Sequence, residues 1–328
     1  MSTQPVGGQA VIEGVMMKAK SRLSVAVRLP SGKIAVKTNA CGSISQKWPL
    51  LGWPLLRGPL VLIETMVYGL KALAFSASQV MEDEGEQMSS WSLFLTMLLA
   101  FAAGMGLFVA LPHLLTWALG EFSPLNYNVQ SLSFHVIDGI LKMLIFVGYI
   151  WAISFMDQIK RVFAYHGAEH KSIHCLEAGK ELTIANAKTF SRLHNRCGTS
   201  FLLLVLAISI AAFAIIFPLL PPLSDIVWLN QTLQIILKIF CMFPLAAIAY
   251  EIIRLAGKRK DNVVCKVLLW PGLQMQKLTT REPDEPQLET AIVALKAALA
   301  TSEICAEVEL VDSVFDTPQN SQEKILAL

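Results

Sequence analysis

Four stretches of the chain are long and apolar enough to cross a membrane as helices. A crossing helix needs about 20 predominantly apolar residues, and two of the stretches contain one lysine each, Lys142 and Lys238. Both lysines lie within a turn or two of the end that we place outside, so we expect them to snorkel towards water. A buried functional charge is the alternative. The predicted spans are residues 91–119, 135–156, 199–220 and 232–253.

Residues 55–80 form another apolar run, but with a different pattern. Arg57, Glu64 and Lys71 are spaced seven residues apart, so on a helix they form one narrow polar stripe. A helix of this kind lies in the membrane interface or packs inside a bundle more often than it spans. The fold predicted is therefore an α-helical polytopic membrane protein with four transmembrane helices and one amphipathic helix.

The first forty residues have the pattern of strands. Residues 9–17 are rich in apolar side chains, and residues 23–28 and 34–37 roughly alternate between apolar and polar. Pro30 and Gly32 lie between the latter two, where a hairpin turn needs them. Because an isolated hairpin is marginally stable, we expect this small β unit to pack on a larger part of the protein.

The distribution of Lys and Arg predicts the orientation. The loops at 120–134 and 221–231 contain none, whereas the loop at 157–198 contains seven. Residues 1–90 carry nine, and residues 254–328 carry nine more. The positive-inside rule therefore places both termini and the central loop in the cytoplasm. A fifth span at 55–80 would put a basic region outside, which is why we predict four spans.

The part of the chain after the last span is predicted to be cytoplasmic. Residues 263–272 are apolar but too short to cross, and we expect a membrane-edge or re-entrant segment that stops at Pro271 and Gly272. Residues 287–299 have helical periodicity. The predicted units are a β-hairpin unit at 1–48, the amphipathic helix with an acidic linker at 49–90, the transmembrane region at 91–256 with its histidine loop at 157–198, the membrane-edge segment at 257–282 and a helical tail at 283–328.

Composition supports the membrane assignment. The chain is 54% hydrophobic and 16% charged, with a mean hydropathy of +0.53, whereas a soluble domain carries about 25% charged residues. The net charge of +2 indicates no polyanionic partner, and topology accounts for most basic residues, so no nucleic acid is predicted. The six cysteines form no CxxC pair and are interpreted as reduced thiols. The start of the chain lacks the pattern of a signal peptide, so insertion is expected to rely on internal segments.

The residues that can carry chemistry cluster in the central loop. Four of the six histidines are His166, His170, His174 and His194. The first two, with Glu169, have the His-x-x-Glu-His spacing of the inverted zincins. Residues four apart share a helix face, so this pair could hold one metal ion while the glutamate activates its water. The other two histidines, His113 and His135, are expected to be interfacial.

Helix geometry limits how this loop can bind a metal. Histidines at three successive four-residue steps extend about 12 Å along a straight helix, and metal–imidazole bonds are about 2.1 Å. One ion therefore cannot take all three, and a third ligand must come from elsewhere.

Three arrangements remain open. In the first, the first two histidines bind, with Glu169 as base and a remote carboxylate. In the second, His170 and His174 bind with Glu177. In the third, a kink at Gly167 re-aims the first histidine onto the second pair. The alternative to any metal site is a set of solvated histidines that pair with acids or lipid headgroups, and Cys175 and Cys197 are predicted to be small buried thiols. The remote residues considered as ligands are Glu13, Glu251, His194 and Cys197.

Two long motifs resemble those of the YqhQ-like bacterial membrane proteins. They are residues 7–17 (GGQAVIEGVMM) and 165–171 (YHGAEHK). The resemblance extends from residue 7 to about residue 295, although the family usually has proline where this chain has Asn195. It implies a predicted metal-dependent enzyme of the inner membrane, in a family of otherwise unknown function whose genes often lie near translation-factor genes. Shorter matches lie at 192–200, 250–251, 271–272 and 278–283.

The resemblance adds Glu13 to the predicted site. This residue lies in the first motif, on the side that the charge distribution independently makes cytoplasmic, where a carboxylate could complete the metal site. A glutamate in a β-turn, beside a glycine that the backbone requires, is the alternative.

The function predicted is a metal-dependent hydrolase that acts at the membrane surface. His166 and His170 would bind a divalent metal, with zinc as the ion considered, and Glu169 would be the general base. The alternative function is a membrane scaffold or assembly factor that docks a cytoplasmic, translation-related protein, and a transporter ranks last. The sequence does not define the oligomeric state. The alternates for the third ligand are His174, Glu177, His194 and Glu13.

Overall fold

The computed structural model describes residues 6–42, 52–53, 56–83, 89–122, 129–258, 262–300 and 309–311. Parts of the predicted acidic linker (84–88) and of the predicted tail (301–308 and 312–328) lie outside the described residues. The strands are β1 (Gly7–Val11), β2 (Gly14–Lys18), β3 (Arg22–Arg28), β4 (Ile34–Ala40) and β5 (Glu309–Val311). The helices are α1 (Arg57–Asp83), α2 (Ser90–Met105), a π-helical turn (Gly106–Ala110), α3 (Leu111–Phe122), α4 (Leu132–Ile153), α5 (Asp157–Glu177), α6 (Ile184–Lys188), α7 (Gly198–Ile216), a 3₁₀ turn (Phe217–Leu219), α8 (Val227–Lys258), α9 (Val263–Thr279) and α10 (Glu285–Leu299).

The strands form one antiparallel sheet in the order β1-β2-β3-β4-β5. The predicted hairpin around Pro30 and Gly32 is confirmed as β3 and β4. The strand pattern predicted over 9–17 is confirmed as two strands, β1 and β2, with a tight turn between them. Glu13 takes a positive φ of 50° at the turn. At Gly14 a side chain would collide with the Ala26 carbonyl oxygen, so glycine lets β2 lie close to β3.

Helices cover both faces of the sheet. On one face, Val15 and Met17 pack in a core with Tyr165 of α5 and Leu295 of α10. On the other face, Val25 packs in a core with Ala72 and Phe75 of α1. The expectation that the β unit packs on a larger part of the protein is thus confirmed, and α5 of the histidine loop belongs to that part.

Helix α1 links the sheet to the apolar helices. Arg57 at its start donates two hydrogen bonds to the Glu251 carboxylate of α8, at 2.6 and 2.5 Å. Further along, Glu64 lies 3.8 Å from the Lys18 ammonium of β2. The side of α1 that faces neither partner exposes Ile63, Met66, Val67 and Leu70.

Five helices are long and apolar enough to cross a membrane, so the predicted count of four is not matched. The additional helix is α1. Its three charges are seven residues apart, so the mean hydropathy of the helix stays as high as that of a span. This comparison uses length and composition only. The five segments are Arg57–Met81, Phe94–Phe122, Leu132–Ile153, Gly198–Leu219 and Val227–Ala256.

One expectation about the segment after the last of these helices is wrong. The apolar run at 263–272 does not stop at Pro271, since α9 continues to Thr279. Gly272 instead allows close packing, because a Cβ there would lie 2.5 Å from the Ser200 side chain of α7.

The lysines and histidines within the apolar helices are buried. Lys142 and Lys238 do not snorkel, because both donate to the Asp138 carboxylate. His113 and His135 are not interfacial either, since both rings are fully enclosed by neighbouring side chains.

Candidate metal centre

The central loop presents its first three histidines from one continuous helix, α5. Gly167 does not kink it, so the arrangement that depends on a kink is wrong. A Cβ at Gly167 would instead overlap the Arg281 carbonyl oxygen, while the Arg281 amide donates to the Phe163 carbonyl at 2.8 Å. Glycine is needed here because the segment after α9 crosses directly over the helix.

The histidines divide into two groups of three ligands. The first contains His166, His170 and Cys197, whose ligand atoms all lie within 4.8 Å of one another. The Nε2 atom of His166 is 3.2 Å from the Cys197 Sγ atom, and the two imidazole rings are 4.4 Å apart. Ligand atoms bound at about 2.1–2.3 Å around one tetrahedral ion are separated by about 3.5 Å. The spacing therefore fits a single metal ion.

Hydrogen bonds to backbone carbonyls orient both imidazoles of this first group. The Nδ1 atom of His166 lies 2.8 Å from the Thr279 carbonyl oxygen, and that of His170 lies 2.6 Å from the Arg192 carbonyl oxygen. A carbonyl only accepts, so each Nδ1 carries the hydrogen and each Nε2 keeps its lone pair. This is the outer-shell arrangement that fixes metal-binding histidines. Burial also lowers the pKa of His170, which favours the neutral, metal-binding form.

The thiol of the first group lies at the start of α7. Cys197 is the N-cap residue of this helix, and its Sγ accepts from the Thr199 amide at 3.4 Å. A cap position directs the side chain at the first backbone N–H groups of the helix, which fixes where the sulfur lies. From the sequence, Cys197 was predicted to be a small buried thiol, with a remote metal ligand as the alternative, because nothing in the linear spacing joins it to a helix that ends twenty residues earlier.

Hydrogen bonds from Gln276 of α9 and to the residue after it hold the loop that carries Cys197 in place. The Gln276 amide accepts from the His194 backbone N–H and donates to the His194 carbonyl and the Ser200 hydroxyl, each at 2.8 Å. The Arg192 guanidinium donates to the Thr280 carbonyl. These contacts fix the cysteine relative to the histidines of α5.

The second group contains His174, Glu177 and His194, again within 4.8 Å of one another. Its polar atoms already have partners: Nε2 of His174 donates to the Leu193 carbonyl at 3.0 Å, and Nδ1 of His194 accepts from the Arg196 amide at 3.2 Å. Glu177 pairs with the Arg196 guanidinium and lies 3.6 Å from Nε2 of His194. Because Nδ1 of His194 accepts a hydrogen, its Nε2 carries one and cannot bind a metal in this arrangement, and Glu177 would have to leave the Arg196 guanidinium. The first group therefore fits a metal better.

Glu169 and Glu13 belong to neither group. Glu169 is buried against β1, where a Cβ at Gly8 would lie 2.9 Å from its carboxyl carbon, and burial raises its pKa to about 7. Glu13 pairs with the Arg161 guanidinium at 2.5 Å and lies 3.3 Å from the Tyr165 hydroxyl. The structure therefore does not bring either carboxylate together with the histidine ligands, and the general-base role of Glu169 stays a prediction.

Comparisons with known proteins agree with the resemblance seen in the sequence. A family model described as "Protein of unknown function (DUF1385)" matches residues 53–301. "Uncharacterized protein YqhQ" of Bacillus subtilis (strain 168) is 32% identical over 311 residues, which cover 89% of this chain and 92% of that protein. No solved structure matches the chain significantly. The chain therefore belongs to the DUF1385 family, together with YqhQ.

Proposed function

We propose that this protein is a membrane-bound, metal-dependent hydrolase whose ion is held by His166, His170 and Cys197. The observation that carries the proposal is the pair of Nδ1–H bonds to backbone carbonyls, which turn both Nε2 lone pairs towards one thiol. A solvated surface histidine does not need such anchoring. Two nitrogens and one sulfur form a soft ligand set that suits zinc.

A site with three protein ligands leaves one tetrahedral position for water, as catalytic zinc sites do. The metal would supply a nucleophile by lowering the pKa of that water. The protein's own contribution is the fixed orientation of the imidazoles and the thiol. The His-x-x-Glu-His spacing assigns the general base to Glu169, which would have to act from the sheet side of α5.

The membrane orientation is a second part of the proposal. We infer that the sheet, α5 and the metal centre lie on the cytoplasmic side, as the Lys and Arg distribution predicts. α1 packs along the sheet and contacts the end of α8 through Arg57, which supports a position beside the sheet instead of across the bilayer. Its exposed Ile63, Met66 and Leu70 would then rest in the lipid interface.

Cysteine accessibility tests this orientation. On a background without native cysteines, a Cys at Trp53 and one at Asp83 flank α1. Both should react from the cytoplasmic side in sealed vesicles, and a Cys at Asp225 should react only from the opposite side. Labelling of the two flanking positions from opposite sides would show that α1 crosses and would overturn the arrangement.

Elemental analysis of purified protein tests the metal centre. The wild type should contain about one zinc per chain after purification without chelator. Both His170→Ala and Cys197→Ser should lose it, whereas His174→Ala, on the same helix but in the second group, should keep it. Metal lost in His174→Ala and retained in Cys197→Ser would move the site to the second group.

Turnover is tested separately with the general-base variant. Glu169→Gln should retain the metal and lose hydrolysis across a panel of ester, amide and phosphoester substrates presented in lipid. Metal and activity that both survive would exclude the role of Glu169. Wild type that is folded but binds no metal would instead favour a scaffold.

The basic residues of the loop give little support to the scaffold alternative. All seven contact groups within the protein, and five of them form ion pairs, which compensate most of the positive charge of the loop. The contacts are Lys160 with Asp157, Arg161 with Glu13, Lys171 with Glu282, Lys188 with Glu285, Arg196 with Glu177, Arg192 with the Thr280 carbonyl and Lys180 over the Phe190 ring.

A further inference from the structure

A second polar cluster lies among the apolar helices, remote in sequence from the metal centre. The Asp138 carboxylate of α4 accepts from the Lys142 ammonium at 2.8 Å and from the Lys238 ammonium of α8 at 2.6 Å, both on Oδ2. Lys238 also lies 3.0 Å from Nδ1 of His113 in α3. Nε2 of that histidine lies 2.8 Å from the Gln231 side-chain oxygen. Three helices thus share one hydrogen-bonded chain of titratable groups.

The surroundings of this cluster are apolar and closed. Asp138 is 2% and Lys238 is 1% exposed. The Lys238 ammonium lies 5.3 Å from the Phe134 ring centre and 5.6 Å from that of Phe217. Charged side chains are costly in such an environment, and where they occur within membrane helices they usually mark ion or proton pathways.

The charges of the cluster do not balance when every group has its usual form. The titratable groups that face it are His113 from α3, His135, Asp138 and Lys142 from α4, and Lys238 from α8, whereas the described helix α7 has no titratable residue in its sequence. With neutral histidines and both lysines protonated, the net charge is +1. Release of one lysine proton brings the net charge to zero.

Lys238 is better placed than Lys142 to exchange that proton. It is the lysine that donates to both the carboxylate and a histidine nitrogen, so a base lies within hydrogen-bond distance. From His113 the chain leads to Gln231, near the start of α8 and the loop before it. The Asp138 Oδ1 atom and the Gln234 amide have no hydrogen-bond partner among the described residues, so the cluster also offers unused polar atoms to a proton carrier.

We propose that Asp138, Lys238 and His113 form a proton-binding site that exchanges one proton with water at the start of α8. In the exchange, one N–H bond of the Lys238 ammonium breaks and the proton passes to Nδ1 of His113. The Nε2 proton of the imidazolium then leaves to water as hydronium. Lys238 becomes a neutral amine that accepts a proton in the reverse step. Asp138 stays ionised and holds Lys142 in both states.

Nitrogen NMR of the full-length protein tests the site. Wild type labelled with ¹⁵N-lysine in lipid nanodiscs would be titrated between about pH 5 and 9, below the range where an ordinary lysine loses its proton. One Nζ signal should move from the ammonium to the amine position, and Lys238→Arg should remove that signal. If no lysine signal moves in the wild type, the cluster carries a fixed charge and the proposal is overturned.

The role of His113 has its own measurement. In the His113→Phe variant, hydrogen exchange of the Lys238 Nζ protons with water should slow by at least about tenfold, the effect expected when a proton-transfer group is removed. The matched control, His135→Phe, removes a buried histidine that is not bonded to Lys238 and should leave the rate nearly unchanged. Equal rates in wild type and His113→Phe would exclude the histidine as the route. If either variant fails to fold, the wild-type titration still decides the proton-binding site itself.

Discussion

The protein contains two clusters of histidines that are held in opposite ways. At the metal centre, His166 and His170 donate to backbone carbonyls and keep free lone pairs. In the apolar helices, His113 lies between a lysine and a glutamine side chain, with a carboxylate one step away. Backbone anchoring leaves a nitrogen free to bind a ligand, whereas side-chain anchoring embeds the nitrogen in a network of charges. We therefore expect protein stability to depend strongly on the charged side chains of the second cluster. Loss of a charged side chain at the first cluster should affect stability little.

The largest expected effect lies in the apolar helices. Asp138→Asn leaves two buried ammonium groups without their counter-ion, which should destabilise the protein by about 3–5 kcal/mol. Replacement of all three groups, by Asp138→Leu with Lys142→Met and Lys238→Met, should restore most of that loss because well-packed apolar residues remove the unpaired charge. Thermal unfolding in detergent measures both. A triple variant as unstable as Asp138→Asn would show that packing, and not charge, is decisive.

The matching experiment at the metal centre concerns a residue that is not a ligand. Gln276→Leu removes the clamp on the His194 backbone and should weaken metal affinity about 10–100-fold, as loss of outer-shell partners does. Gln234→Leu is the control, since it removes a buried glutamine of the apolar helices instead. Competition with a chelator measures the affinity. Equal affinities in the two variants would show that the clamp does not support the site.

Two glycine-to-alanine substitutions test how rigid the packing is at the histidine loop and in the apolar helices. Gly167→Ala would push a methyl group into the Arg281 backbone carbonyl, and Gly139→Ala would push one to 2.5 Å from the Ile210 side chain. A side chain can rotate away more easily than a backbone strap can move. We expect Gly167→Ala to cost about 1–3 kcal/mol, the range of overpacking, and Gly139→Ala clearly less. Unfolding temperatures of the two variants give the comparison, and the reverse order would contradict it.

A further prediction concerns pH and Glu169. Its pKa is raised by burial to about 7 from 4.5, so the folded state holds this proton more tightly than the unfolded state. Wild type should lose stability, relative to Glu169→Gln, as pH rises from about 4.5 to about 7, and the difference should then level off. Unfolding temperatures of metal-free protein at several pH values test this. A difference that is constant across the range would refute the assignment.

The sequence predicted those features that depend on local spacing. Histidines four residues apart share a face of α5, and alternation identified the hairpin of β3 and β4, because helix and strand periodicity act over a few residues. The turn at Glu13 could be named only as an alternative, because its flanking residues are apolar on both sides. Pro271 gave the wrong end for α9 because tertiary packing around Gly272 outweighed the local signal.

The sequence did not show which residues far apart in the chain come into contact. Cys197 joins His166 across thirty-one positions, and Asp138 joins Lys238 across one hundred. Hydropathy also concealed the second cluster, because one acid in a strongly apolar run barely changes its average. Charged residues in apolar segments are therefore better examined as sets than one at a time.

The position of α10 has a consequence for biogenesis. Strands β1 to β4 need α10 to complete the core on one face, and His166 needs the Thr279 carbonyl just before it. About 280 residues separate β1 from α10, which at roughly 5–20 residues per second takes about 15–60 s to synthesise. The first four strands are thus synthesised early, but their core is completed only after α10 has been made. Until then its apolar face stays open to chaperones, and the proposed metal centre cannot acquire its final ligand geometry before Thr279 has left the ribosome.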